Sequence, residues 1–212
     1  MNQRNLFFRF FLLTILWLQA ILGFGQQVKN VPKAFEALSS EPEIILVKNK
    51  MKVPLDGGHL QGVQVIDSQG DEKLLISGSS LTQAYLLQVD LTARKADRLI
   101  PLMNEPYRHA GGIQVSEPYL VVGIEDNFAK TSSKVCIYNY RDTSLYNAQA
   151  NITINRMGEM KLQTAGATGL LAMDNDYLMV VGNWDTRNLD FYRIDPKKKE
   201  QKMLGSFEVP VD

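Results

Sequence analysis

The chain holds two histidines, His59 and His109, and each opens a similar heptad. The first reads His59-Leu60-Gln61-Gly62-Val63-Gln64-Val65. The second, fifty residues on, reads His109-Ala110-Gly111-Gly112-Ile113-Gln114-Val115. A third copy, Thr164-Ala165-Gly166-Ala167-Thr168-Gly169-Leu170, follows after fifty-five more and carries threonine in the histidine position. At matched points downstream stand Ser79 and Ser80, then Glu125 and Asp126, then Asp185. Imidazoles move protons near neutral pH, and carboxylate oxygens hold hard cations such as calcium. Gathered at one opening, His59 and His109 as proton-transfer groups and Glu125, Asp126 and Asp185 as metal ligands would suit a calcium-dependent hydrolase. The plainer alternative has each histidine tie its own repeat together through a Ser, Thr or Asp of a neighbouring turn. Recurrence in register favours that alternative, because structural devices repeat while active sites are asymmetric.

What must position these residues is a β framework. Each heptad is followed by a strongly apolar β-type run: Lys73 to Ser77, Tyr119 to Ile124 and Tyr177 to Val181. A polar loop and a second β run come next: Ala84 to Leu91, Lys134 to Tyr140 and Leu189 to Asp195. A more polar segment closes each unit, at Asp97 to Leu102, at Asn151 to Ile154 and within Lys202 to Val211. Four strands in meander order are therefore expected per unit, joined by Gly, Asn, Asp, Ser and Pro turns. The apolar runs are continuous rather than alternating, so both sheet faces need cover. Units of about fifty residues, four strands each, with polarity rising from innermost to outermost strand, fit an all-β propeller of four-stranded antiparallel blades. The blades fall at 59–106, 107–161 and 162–212. In such a ring the loops entering the innermost strands and those joining second to third strands share a face, which brings the five candidate residues to one opening. A β-sandwich would explain the strands but not the recurring heptad.

The His-Ala-Gly-Gly-Ile-Gln-Val stretch at 109–115 resembles an opening blade motif of secreted repeat propellers, and the resemblance covers about 51–212. It implies the propeller fold and fixes no activity. The chain does not follow the WD40 pattern: Trp184-Asp185 occurs once and follows a second strand. Gly111-Gly112 offers no phosphate cradle, since no helix follows to present its N-terminus.

Arg4 and Arg9, the apolar run Phe10 to Phe24 and the exit Gly23-Phe24-Gly25 form the three parts of a secretory signal peptide at 1–25. That leader implies a secreted or periplasmic product with no stable membrane insertion after cleavage. Without its two arginines the chain has 21 basic and 23 acidic residues, which leaves no electrostatic footprint for nucleic acid. The single cysteine, Cys136, rules out an internal disulfide framework and reads as a buried thiol in an apolar run. Residues 26–58 read as a lead-in, with a short helix at Pro32 to Leu38 and a first strand at Glu43 to Val47. Val53-Pro54-Leu55-Asp56 precedes the first heptad, and Val209-Pro210-Val211-Asp212 ends the chain three periods later. That rhythm suggests a fragment of a longer propeller, or self-association of copies to complete the ring. The function expected is binding of a ligand or protein partner through the open face, with the calcium-dependent hydrolase as the alternative.

Overall fold

The computed structural model describes residues 29–54, 56–68, 70–158 and 163–210; the signal peptide expected at 1–25 lies outside the described residues. The chain divides into two compact units, Met1–Ile44 and Ile45–Asp212. In the first, helix α1 (Val31–Glu36) begins at Asn30, whose side chain accepts from Lys33 N at 3.0 Å. This capping bond and Pro32 in the first turn start the helix. The strand expected at Glu43 to Val47 does not form. A strand needs a partner for its backbone groups, and the chain finds one only at Lys48, which makes an isolated parallel bridge to Lys95. Among the described residues no helix is long and apolar enough to cross a membrane.

The second unit is all β. Its first blade comprises β1 (His59–Ser68), β2 (Asp71–Ser79), β3 (Gln83–Asp90) and β4 (Lys95–Asn104). The second comprises β5 (His109–Ser116), β6 (Tyr119–Glu125), β7 (Ser132–Asn139) and β8 (Ile152–Met157). The third comprises β9 (Ala167–Ala172), β10 (Tyr177–Gly182), β11 (Asn188–Asp195) and β12 (Glu200–Glu208). Within every blade each strand pairs antiparallel with the next in sequence. The blades stack face to face, and β5 packs between β1 and β9.

Side-chain alternation distributes the core between neighbouring blades. Leu120, Val122 and Ile124 of β6 meet Ile66, Leu75, Leu86 and Ile100 of the first blade. The intervening Tyr119 and Val121 meet Leu170, Met179, Val181 and Tyr192 of the third. Strand β6 is buried along its whole length, which is why its sequence reads as an unbroken apolar run. Polarity does not simply rise outward, as expected from sequence. The innermost β1 exposes Leu60, Val63 and Val65, and β9 exposes Leu171, because no further blade covers those faces among the described residues. Leu171, Leu178, Val180, Phe191 and Phe207 share the outer face of the third blade by register. Cys136 is buried in the core between the first two blades, and burial raises its thiol pKa above the ordinary value, as suits an inert thiol.

Small residues set how closely the blades approach. A methyl group at Gly123 would stand 2.2 Å from the Ala165 carbonyl oxygen, and one at Gly111 would stand 2.7 Å from that of Gly166. Gly205, on the outermost strand, has nothing within 4 Å. Gly123→Ala should therefore lower the unfolding free energy by about 2 kcal/mol through overpacking, whereas Gly205→Ala should change it by less than about 1 kcal/mol. Urea denaturation followed by tryptophan fluorescence measures both, and equal effects would contradict this account of blade spacing.

Candidate functional site

Antiparallel pairing places the start of each inner strand beside the end of the second strand. His59 therefore faces Ser79, and His109 faces Glu125. The inner strands β1 and β5 carry a β-bulge at the same place, between Leu60 and Val63 and between Ala110 and Ile113. A bulge re-aims side chains locally. Here it turns Gln61, on β1, toward both histidines: its Nε2 contacts His59 Nε2 and His109 Nε2. The two imidazole centroids lie 5.3 Å apart with rings tilted by 53°. His59 is exposed, while His109 is 6% exposed.

The far nitrogen of each ring is engaged as well. His59 Nδ1 lies 3.3 Å from Ser79 Oγ. His109 Nδ1 lies 3.1 Å from Glu125 Oε1, at ion-pair distance though outside hydrogen-bond geometry. Glu125 is wholly buried (0% exposed), and its carboxylate is shared across the seam between the second and third blades. It accepts from Ala165 N at 2.8 Å and from Trp184 Nε1 at 2.7 Å. The Trp184 ring carries Lys130 Nζ 3.5 Å from its centroid. A buried polar or charged group is tolerated when it is hydrogen-bonded, and Ala165 N–H and Trp184 Nε1–H supply that. In the third repeat Thr164 holds the matching position, and its Oγ1 accepts from Trp184 N at 2.7 Å. A buried ion pair, Arg156 with Asp190, backs the same seam, and Arg156 also donates to the Thr164 carbonyl.

The remaining candidates are separated from this cluster in role. Asp126 Oδ1 accepts from Phe128 N and Ala129 N, both at 3.0 Å, and so caps its own loop. Asp185 sits exposed in a 3-10 turn at Trp184–Thr186, in the left-handed region with φ 64°. Ser80 Oγ accepts from Thr82 N and Gln83 N and shapes the β2–β3 turn. Among the described residues no group of three or more His, Cys, Asp or Glu side chains is gathered to hold a metal ion. The structure thus brings together His59, His109 and Glu125, with Gln61 and Trp184 added.

On the same side, the β4–β5 and β6–β7 loops border an open cleft of about 540 Å³. Glu105, Pro106 and Arg108 line one side, and Asp126 and Phe128 the other. Arg108 is fixed there by donating to the Leu81 carbonyl at 2.6 Å and to Glu105 at 2.8 Å. Phe128 is 86% exposed.

Sequence reasoning missed Gln61, Phe128 and the pair Gln64 and Gln114. The last two had a visible signal, since both stand five residues after a heptad histidine. Gln64 Oε1 accepts from Val115 N at 3.3 Å, and Gln114 Oε1 accepts from Leu170 N at 2.9 Å. Each glutamine therefore straps its blade to the next. Gln61 also had a signal: the other two heptads carry glycine at its position, Gly111 and Gly166.

No family model matches the chain, and no curated protein matches it. Among solved structures, the exo-β-1,3-galactanase of Phanerochaete chrysosporium, as a variant with β-1,3-galactotriose, is similar at TM-score 0.42 with 8% identity, covering 77% of this chain and 41% of that one. The same enzyme with galactose is similar at TM-score 0.40 with 9% identity, covering 74% and 39%. The chain spans less than half the length of those structures. Likenesses this faint carry no statement about what the chain binds or does.

Replacing Glu125 tests how much of the cluster is structural. Glu125→Ala strands the Ala165 N–H and the Trp184 indole N–H in a buried seam. Leaving a buried donor unsatisfied costs about 1–3 kcal/mol, so the variant should unfold at lower urea concentration than the parent. A midpoint within error of the parent would show that Glu125 is not a seam residue.

Proposed function

We propose that this chain is an exported binding module that takes a ligand or protein partner on the face carrying the inner-strand openings and the β6–β7 loop. The observation that carries this reading is the cleft beside Phe128. A phenyl ring exposed to this degree forms part of no core, and it stands opposite a fixed guanidinium at Arg108. Exposed aromatic and arginine side chains at a concave site are the residues that anchor protein and peptide partners. Export rests on the leader composition of residues 1–25.

The calcium-dependent hydrolase draws less support from the geometry. Glu125 spends its oxygens on Ala165, Trp184 and His109, and Asp126 spends one on its own turn. In this reading His59, His109 and Glu125 orient the blades and the loops that border the cleft.

Selection of a random peptide library on the immobilised chain tests the binding reading. Enriched peptides should lose at least about tenfold in affinity, or 1.4 kcal/mol, on Phe128→Ala, with the melting temperature unchanged. Enriched peptides that bind Phe128→Ala as tightly as the parent would sink the assignment of this cleft. Calcium should leave the melting temperature unmoved up to millimolar concentration. A ligand present at about 100 times its Kd stabilises by about 2.7 kcal/mol, so a saturating upward shift with calcium would restore the hydrolase alternative.

A further inference from the structure

The two imidazoles at the mouths of β1 and β5 are arranged as a pair of ligands. Each has an oxygen near Nδ1: Ser79 Oγ within hydrogen-bond reach of His59, and Glu125 Oε1 at 3.1 Å from His109 but outside hydrogen-bond geometry. An acceptor at Nδ1 favours the tautomer with its proton there, which leaves the lone pair on Nε2. Both Nε2 atoms are directed at one point, now taken by the side-chain nitrogen of Gln61. Only a hydrogen-bond donor or a cation satisfies two converging lone pairs. An oriented ring with a carboxylate or hydroxyl behind it is also how metal-binding histidines are held, because the outer partner fixes the tautomer and raises the basicity of the ligating nitrogen. Glu125 supplies in addition a buried negative charge behind the site.

The occupant is replaceable. Gln61 is exposed, and its side chain bridges the two blades from a bulge. It is also the non-repeating member of its position, since Gly111 and Gly166 stand there in the other heptads. The inter-blade strap that does repeat is made by Gln64 and Gln114, so seam bonding alone leaves the special residue at position 61 unexplained.

We propose that His59 and His109 bind a divalent transition metal of the zinc class through their Nε2 atoms. Gln61 serves as the lid that the ion displaces, or as an oxygen ligand once its amide rotates. Two neutral imidazoles select zinc, copper or nickel over calcium and magnesium, whose preferred ligands are oxygens. The site is separate from the Phe128 cleft, so it stands or falls independently of what that cleft binds.

The test uses the full chain without a histidine tag, freed of metal by chelator and titrated with zinc chloride by calorimetry, with cobalt absorption spectra in parallel. One zinc should bind per chain and raise the melting temperature. His59→Ala should abolish binding. Ser79→Ala, which removes only the outer partner, should weaken it by about 10–100-fold. Gln61→Glu should tighten it by offering a carboxylate in place of the amide, and this variant keeps the assignment testable if changes at His109 unfold the protein. Absence of saturable zinc binding, or His59→Ala binding zinc as the parent does, would overturn the proposal. So would a chain whose melting temperature falls with His59→Ala yet ignores zinc, because the trio would then be a seam strap alone.

Discussion

The close approach of the inner strands is the constraint from which the rest of the structure follows. Gly112 N donates to the Gly166 carbonyl at 2.8 Å, a backbone bond between two different blades. Thr168 Oγ1 returns a bond to the Gly112 carbonyl at 2.8 Å. Between the first two blades, Ser77 Oγ plays the corresponding part, donating to the Gly111 carbonyl and accepting from Gly62 N. Strands this close leave no room for Cβ atoms at Gly111 or Gly123. Once the inner edges are fixed, the four-stranded sheets face each other at a distance that two layers of Leu, Val, Ile and Tyr fill. The core clusters are therefore a consequence of the seam as much as its cause.

The same seam fixes the chemistry at its end. A bulge at the glycine positions displaces the first residues of β1 and β5 from regular register, and the histidines come to lie side by side instead of each above its own sheet. Glu125 then meets the His109 ring, a backbone N–H and an indole N–H, and the last two hydrogen-bond to it. Net stabilisation from a hydrogen bond to a charged group is about 1.5–3 kcal/mol, and leaving a partner buried and unpaired costs at least as much. The cluster is thus held together mainly by the penalty for breaking it.

The periodic part of this architecture was legible in the sequence. The heptad recurrence located β1, β5 and the loop before β9, and the continuous apolar runs located β2, β6 and β10. The third-strand runs and the polar closing segments gave the remaining strands in meander order. What was not legible depends on relations between blades. Asp126 follows Glu125 directly, yet one side chain turns back onto its own loop and the other crosses into the next blade. No pattern in sequence distinguishes those two directions. The strand expected at Glu43 to Val47 had the right composition, but strand formation is decided by a partner's free edge, which composition does not report. Burial of the second and third strands ahead of the first depends likewise on which blades have neighbours.

Repetition separates architecture from function in this chain. Residues that recur in register do similar jobs: Gln64 and Gln114 strap neighbouring blades, and His59 and Thr164 each bond to a residue near the far end of the second strand of their own repeat, Ser79 and Trp184. The glutamine straps are bonds between blades, so their recurrence requires no ligand. Gln61, Glu125 and Phe128 do not recur. A residue that only one blade possesses needs an explanation of its own, because the other blades pack without it. Glu125 is explained by the particular seam it closes, where Trp184 and Ala165 offer donors that the first seam lacks. Gln61 and Phe128 have no such explanation: one side chain contacts two imidazole rings and the other stands exposed over a cleft. These two residues depart from the repeat without a packing reason, which is why the proposals of a binding cleft and of a metal site begin from them.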